Sequence, residues 1–149
     1  MRYLLVDRIT EWKAGESIKG IKTVAMSEDY LEFHFPGNPI MPGVLILEAL
    51  TQLTAWLEAA SSDFKNWLLI SGVRKCKFYG FAFPGDSLEL EARPLPGPAK
   101  DGRIYYGVAS VNGKKKITVE FEGKIVPLGE LEDLAEQRRF FNLLTRGER

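Results

Sequence analysis

The sequence predicts an α+β domain in which an antiparallel sheet wraps one long central helix. Three observations carry this expectation. Residues 44–57, VLILEALTQLTAWL, are apolar on nearly every face of a helix, so such a helix is buried on most sides. After it, apolar and polar residues alternate in several stretches as far as residue 126, the pattern of strands with one wet face. Two of those stretches are joined by Asn112-Gly113, a pair that tolerates the positive φ demanded by a type I′ hairpin turn.

The elements follow in order. Residues 9–26 hold short alternations through Ile18, Ile21 and Val24 and read as one or two strands. Residues 34–43, HFPGNPIMPG, contain three prolines and two glycines in ten positions, which precludes regular structure and makes a rigid loop. Pro42 suits the first helical position, and Ser61-Ser62-Asp63 ends the helix. Residues 67–78 carry an almost continuous apolar run from Trp67 to Ile70, then Val73, and form a strand. Leu88, Leu90 and Ala92 alternate with Glu89, Glu91 and Arg93 in another. Strands over 103–111 and 115–126 pair through the hairpin, with Ile117, Val119, Phe121 and Ile125 on one face of the second. Residues 130–145 place Leu131, Leu134, Phe141 and Leu144 on one helical face, acids early and arginines late, and predict a C-terminal helix.

A chain of 149 residues suits a single domain, here 1–149, with a core of about residues 1–128 and a helical extension of about 129–149. Apolar residues at 45% and charged residues at 27% match ordinary globular usage, which argues against a disordered or membrane class. Twenty basic and twenty acidic side chains cancel, so no broad field favours nucleic acid. The opening MRYLLVDRITEWK lacks the long apolar stretch of a secretory signal, and a cytoplasmic location is expected. One cysteine, Cys76, allows no internal disulfide and no thiolate cluster for a metal, and reads as a small buried strand residue.

Chemistry enters at His34, the only histidine, which lies in the rigid loop fourteen positions before Glu48 on the apolar helix. A carboxyl flanked by Leu45, Leu47 and Ala49 loses hydration, which favours its protonated form and suits a general acid. Histidine serves as a general base near neutrality. Gln52 stands one turn after Glu48 and shares its face. Gly43, near the helix N-terminus, offers a free backbone N–H backed by the dipole to a developing oxyanion. Simpler readings stand beside these: a histidine that caps a loop, a paired structural glutamate, an ordinary rigid connector.

The stretch from His34 through Pro39-Ile40-Met41-Pro42-Gly43 to Glu48 and Gln52 closely resembles the signature of the 3-hydroxyacyl-[acyl carrier protein] dehydratases of type II fatty acid synthesis. The resemblance extends to residues 2–9, RYLLVDRI, to Gly72-Val73 with Lys75, Lys77 and Phe78, and to Phe83-Pro84-Gly85-Asp86, covering roughly residues 2–126. It implies the hot-dog fold, a homodimer whose sheets join edge to edge, and often a trimer of such dimers. It implies catalysis by His34 and by Glu48 of the neighbouring subunit, a thioester carbonyl polarised by the Gly43 amide, and a histidine oriented by the Ile40 carbonyl, with Gln52 matching the family's glutamine. Glutamate at the acid position goes with plain dehydration to a trans-2-enoyl thioester, without isomerisation. No metal or redox cofactor, nucleic acid or membrane is implied. An acidic acyl carrier protein delivers the substrate, with Arg74, Lys75 and Lys77, and also residues 114–116, as candidate carrier contacts. Phe33 replaces a common glycine, Tyr79-Gly80-Phe81 replaces a more basic segment, and the helix beyond residue 128 is outside the usual core, features that permit a specialised pathway. A hot-dog thioesterase and a catalytically silent subunit are the competing classes.

Overall fold

The computed structural model describes residues 3–99 and 102–147; Arg2 of the N-terminal match lies outside them. Six strands form one antiparallel sheet: β1 (Arg8–Lys13), β2 (Ser17–Thr23), β3 (Asn66–Phe78), β4 (Ser87–Leu95), β5 (Arg103–Val111) and β6 (Lys114–Pro127). Their spatial order is β1-β2-β4-β5-β6-β3, so β1 and β3 are the edges. The long helix α1 (Gly43–Ser61) lies across the sheet against β2, β3, β4 and β5, and α2 (Leu134–Thr145) packs beside β1. The fold is the hot-dog fold that the motif resemblance implies, with the expected C-terminal helix.

Local chemistry accounts for the boundaries. Asn112 and Gly113 take φ of 50° and 79°, and the turn closes β5 onto β6 with Val111 opposite Lys114. Along β4, Leu88, Leu90 and Ala92 are buried while Glu89, Glu91 and Arg93 face solvent, the anticipated period of two. On α1, Ile46, Ala49, Leu50, Leu53 and Leu57 are fully or almost fully buried. This helix has the length and apolarity of a membrane-crossing segment, yet most of it is enclosed by the rest of the chain, as a core helix is. Close approach is needed at Gly107, where an added Cβ would come within 3.3 Å of the Leu50 side chain.

Several expectations need correction. Pro42 is the residue before the helix, with φ −56° and ψ 132°, and Gly43 is the first helical position. The apolar run from Trp67 to Ile70 lies on β3, as the strand expected there. Because β3 is an edge, only Leu68 is buried, and Leu69, Ile70, Val73 and Phe78 are exposed. Cys76 is half-buried on the same strand, and burial pushes its thiol pKa up. The C-terminal helix starts only at Leu134, because Asp133 caps it by accepting the Glu136 N–H at 3.0 Å. Leu131 therefore precedes the helix. Leu131 and Leu134 are exposed, whereas Gln137, Phe141, Leu144 and Thr145 form the buried face. The last turn carries no basic residue; Arg138, in mid-helix, donates instead to Asp63 Oδ1 at 2.8 Å.

The sequence also hid a polar group in the core. Glu58, only 4% exposed, accepts from Tyr105 Oη at 2.6 Å and from Arg103 Nη1 at 3.0 and 2.8 Å. The carboxylate is thus paired and hydrogen-bonded on burial, and it ties the C-terminal half of α1 to β5.

Candidate active site

The residues before His34 are anchored by charge. Lys22, 4% exposed on β2, is neutralised by Glu28 at 2.6 Å and Asp7 at 3.6 Å. The Asp7 carboxylate also accepts the Thr23 N–H at 2.7 Å. From there a short 3-10 turn, Asp29–Glu32, leads into the proline loop. The His34 N–H donates to the Tyr30 carbonyl at 3.1 Å, and the Ile40 N–H donates to the His34 carbonyl at 2.9 Å. Phe35 and Asn38 exchange two backbone hydrogen bonds at 3.0 Å, and the Met41 N–H reaches the Ala82 carbonyl at 2.9 Å. The His34–Phe35 peptide is cis, and the two rings stack with centroids 4.1 Å apart. These hydrogen bonds fix the loop at both ends and across its middle.

This scaffold decides how the imidazole is used. His34 Nδ1 lies 3.0 Å from the Ile40 carbonyl oxygen. A carbonyl can only accept, so Nδ1 carries the proton and Nε2 of the neutral ring is left as a lone-pair base. The expected orienting role of Ile40 thus corresponds to a hydrogen bond in the structure.

Glu48 is held from its own helix and from the N-terminal segment. Its Oε1 accepts from Gln52 Nε2 at 3.1 Å, and its Oε2 accepts from Thr51 Oγ1 at 3.0 Å. Gln52 is itself clamped: Nε2 donates to the Tyr3 carbonyl at 2.9 Å and Oε1 accepts the Leu5 N–H at 2.9 Å. The polar stripe on the apolar helix is explained by this network. Thr51 was missed from the sequence, because a threonine on a helix commonly spends its hydroxyl on its own backbone, as this one also does toward the Glu48 carbonyl at 2.9 Å.

Glu48, Thr51 and Gln52 open onto a cavity of about 570 Å³ that α1, β3, the N-terminal segment and the C-terminal helix enclose. Apolar and aromatic side chains, among them Ala55, Trp56, Trp67 and Leu68, make most of its wall. His34 is not among the lining residues, so one chain brings Glu48 together with Gln52 but not with His34. Gly43 sits at the first position of α1 beneath the Phe78 ring, where any added Cβ would lie about 2.5 Å from Phe78 Cε1. Any side chain at this position would require the exposed Phe78 ring to shift.

The basic residues divide. Arg74 pairs with Glu122 at 3.6 Å on the sheet. Lys77 lies over the Tyr79 ring at 5.1 Å, and Thr118 Oγ1 donates to the Tyr79 oxygen at 3.5 Å. That hydrogen bond first, and then the charges of Lys77, Lys115 and Lys75, lowers the Tyr79 pKa, so three lysines share one patch. Tyr79, the aromatic centre of this patch, carried no periodic or motif signal of its own.

Comparison with known proteins decides the family. The FabA-like domain model matches residues 1–122. The 3-hydroxyacyl-[acyl-carrier-protein] dehydratase FabZ of Nitratidesulfovibrio vulgaris (strain Miyazaki F) is 45% identical over 115 residues, covering 75% of this chain and 74% of that protein. The chain belongs to the FabZ-like dehydratase family. A second FabZ-like relative, from Caldicellulosiruptor saccharolyticus, is 40% identical over 130 residues, covering 87% of this chain and 85% of its own length. Solved structures share the fold at low identity. The dehydratase heterocomplex ApeI:P from Xenorhabdus doucetiae superposes with a TM-score of 0.61 at 18% identity, covering 76% of this chain and 92% of that one. The Streptococcus mutans protein smu.793 bound to acetyl CoA superposes at 0.64 and 12%, covering 86% and 94%. The FabA-like match thus spans β1 to β5, α1 and the first part of β6, while α2 lies beyond it.

Proposed function

We propose that this FabZ-like chain removes water from a 3-hydroxyacyl thioester carried by an acyl carrier protein, giving a trans-2-enoyl thioester for fatty acid or related lipid or polyketide synthesis in the cytoplasm. The observation that carries the reading is geometric: the Ile40 carbonyl fixes His34 with a bare Nε2, and Thr51 and Gln52 hold the Glu48 carboxyl at the wall of an apolar cavity. Nε2 takes the proton from C2, and charge develops on the thioester oxygen, where the Gly43 amide at the α1 N-terminus receives it. The C2=C3 double bond then forms as the C3–O bond breaks. Glu48 protonates the departing hydroxyl, and water leaves. Electrons shift only within the substrate, so the step needs no redox partner.

The pair meets between subunits in this reading, with His34 of one copy facing Glu48 of the other. The exposed apolar side chains of the β3 edge, Leu69, Ile70, Val73 and Phe78, support it. A thirteen-residue edge strand with that much apolar surface is poorly protected unless another strand adds to it, and a second copy supplies one by two-fold symmetry. A trimer of such dimers is the larger assembly. The Lys75, Lys77 and Lys115 patch around Tyr79 is the docking point for the acidic carrier, with Arg74 at its side.

The test follows enoyl absorbance with 3-hydroxyacyl carrier substrates of several lengths. The parent protein is expected to form enoyl product, and His34→Ala and Glu48→Gln to lose at least about a hundredfold in kcat while remaining folded. Release of free thiol instead of enoyl product would identify a thioesterase, and conversion of no substrate would identify a silent subunit.

A further inference from the structure

We infer that Gln137 selects acyl chains bearing a hydroxyl near their far end, an inference that takes its substrate from the dehydratase reading above. The cavity runs along one face of α1 from Glu48 through Thr51, Gln52 and Ala55 to Trp56, eight residues or roughly 12 Å of helix. If Glu48 acts at C3 of the substrate, the Trp56 end receives the distal carbons. Aromatic rings wall that end: Trp67 stands edge-on to Trp56 at 5.2 Å, and Phe140 lies 5.7 Å from it.

Gln137, three residues before Phe140 on α2, enters this wall. It keeps only 8% of its surface and lines the cavity, and its side-chain amide hydrogen-bonds to no described residue. The contrast with Gln52 is direct. Both glutamines line the same cavity, but Gln52 spends its donors on Tyr3 and Glu48 and its acceptor on Leu5, whereas the donors and acceptor of Gln137 are all unspent. The residue is mostly buried but its amide atoms still reach water in the cavity, so an occupant that replaces that water with a hydrogen bond gains over an occupant that cannot. A plain alkyl end strips water from Gln137 and returns nothing. A hydroxyl both donates and accepts, which suits an amide. A carboxylate end would be repelled by the charge of Glu132, which also lines the cavity. Gln137 lies beyond the residues that the FabA-like domain model matches, so this selectivity belongs to the C-terminal extension of the chain.

The experiment compares two 3-hydroxyacyl carrier-protein substrates of equal length, one ending in a methyl group and one in a hydroxyl. The full-length protein is expected to favour the hydroxyl-ended substrate by about tenfold in kcat/KM. Gln137→Leu abolishes the preference mainly by improving turnover of the methyl-ended substrate, and Gln137→Met serves if the leucine variant does not fold. Equal kcat/KM for the two substrates, or a ratio unchanged by the substitution, overturns the inference and leaves dehydration intact. Binding of the two enoyl products, read by quenching of the Trp56 and Trp67 fluorescence, separates the failures. Discrimination there, lost in the variant but without turnover of either substrate, upholds recognition by Gln137 and sinks the dehydratase reading. No turnover and no discrimination sinks both.

Discussion

At the scale of single residues, the site depends on which hydrogen bonds are already spent. The Ile40 carbonyl uses the only proton of neutral His34, Gln52 commits one donor to Glu48 Oε1, and Thr51 shares its single hydroxyl proton between the Glu48 carbonyl and Oε2. Thr51→Val keeps the shape of the side chain and deletes its donor. The expected result is a three- to tenfold fall in kcat, roughly the worth of one hydrogen bond, with KM unchanged and the pH–rate profile displaced. A loss of melting temperature with unaltered kinetics would reduce Thr51 to a structural role.

Tyr105 supports a second residue-scale prediction. Burial first, and then the hydrogen bond and charge of Glu58, raise its pKa well above the ordinary value of 10.0. Because the folded pKa exceeds the unfolded one, the associated stability is complete below about pH 10 and is lost as pH climbs above it. Tyr30 is raised as well, by burial and then by Glu28 and Asp7, and adds to the same alkaline limb. In Tyr105→Phe the alkaline decline should become shallower, while stability at neutral pH falls by about 1–3 kcal/mol as Glu58 loses a donor. Urea titrations at pH 7 and above pH 10 measure both effects, and an unchanged alkaline slope would count against the assignment.

At the scale of elements, α1 performs two tasks on two faces. Ile46, Leu50, Leu53 and Leu57 pack into the core, while Glu48, Thr51, Gln52 and Ala55 face the cavity. Leu53 is fully buried, so Leu53→Ala is expected to lower stability by about 2–5 kcal/mol. Displacement of the helix should reduce activity by more than the small unfolded fraction explains. Equilibrium unfolding beside an enoyl assay checks this. Legibility differed among elements for physical reasons. The β4 and β6 strands were readable because period-two alternation maps directly onto one buried and one wet face. The C-terminal helix was readable as a helix, and Phe141 and Leu144 of its expected face are buried, but Leu131 and Leu134 are not. With twelve residues, a start fixed by the Asp133 cap moves Leu131 off the helix, and which side packs is decided by Phe141 meeting Trp12, Trp56 and Phe64. The apolar run on β3 was readable as a strand, but a run of that kind does not distinguish a central strand from an edge strand.

At the scale of the whole molecule, the proposed composite site makes a prediction that no single-chain site shares. Co-expressed His34→Ala and Glu48→Gln chains, each inactive alone, form mixed dimers with one intact pair and one doubly broken pair. With random pairing, two-fold symmetry gives about a quarter of parental activity. Activity no greater than the sum of the two separate variants would refute the shared site. Ile70→Lys on the exposed edge should shift sedimentation toward monomer, with dehydration falling in proportion to the dimer lost.

The sequence by itself determined the class of fold, the order of strands along the chain, the buried central helix, the rigid loop and the family. These depend on periodicity, on the restricted φ of proline, on turn-forming Asn-Gly, and on one specific motif, all of which are local properties. Tertiary structure decided the rest. It placed β3 at an edge, paired Glu58 with Arg103 and Tyr105, set Thr51 against Glu48, and brought Gln137 from the end of the chain to the cavity that begins at Glu48. Each of these joins residues by packing geometry, and no spacing along the chain encodes which partner a buried polar group will meet.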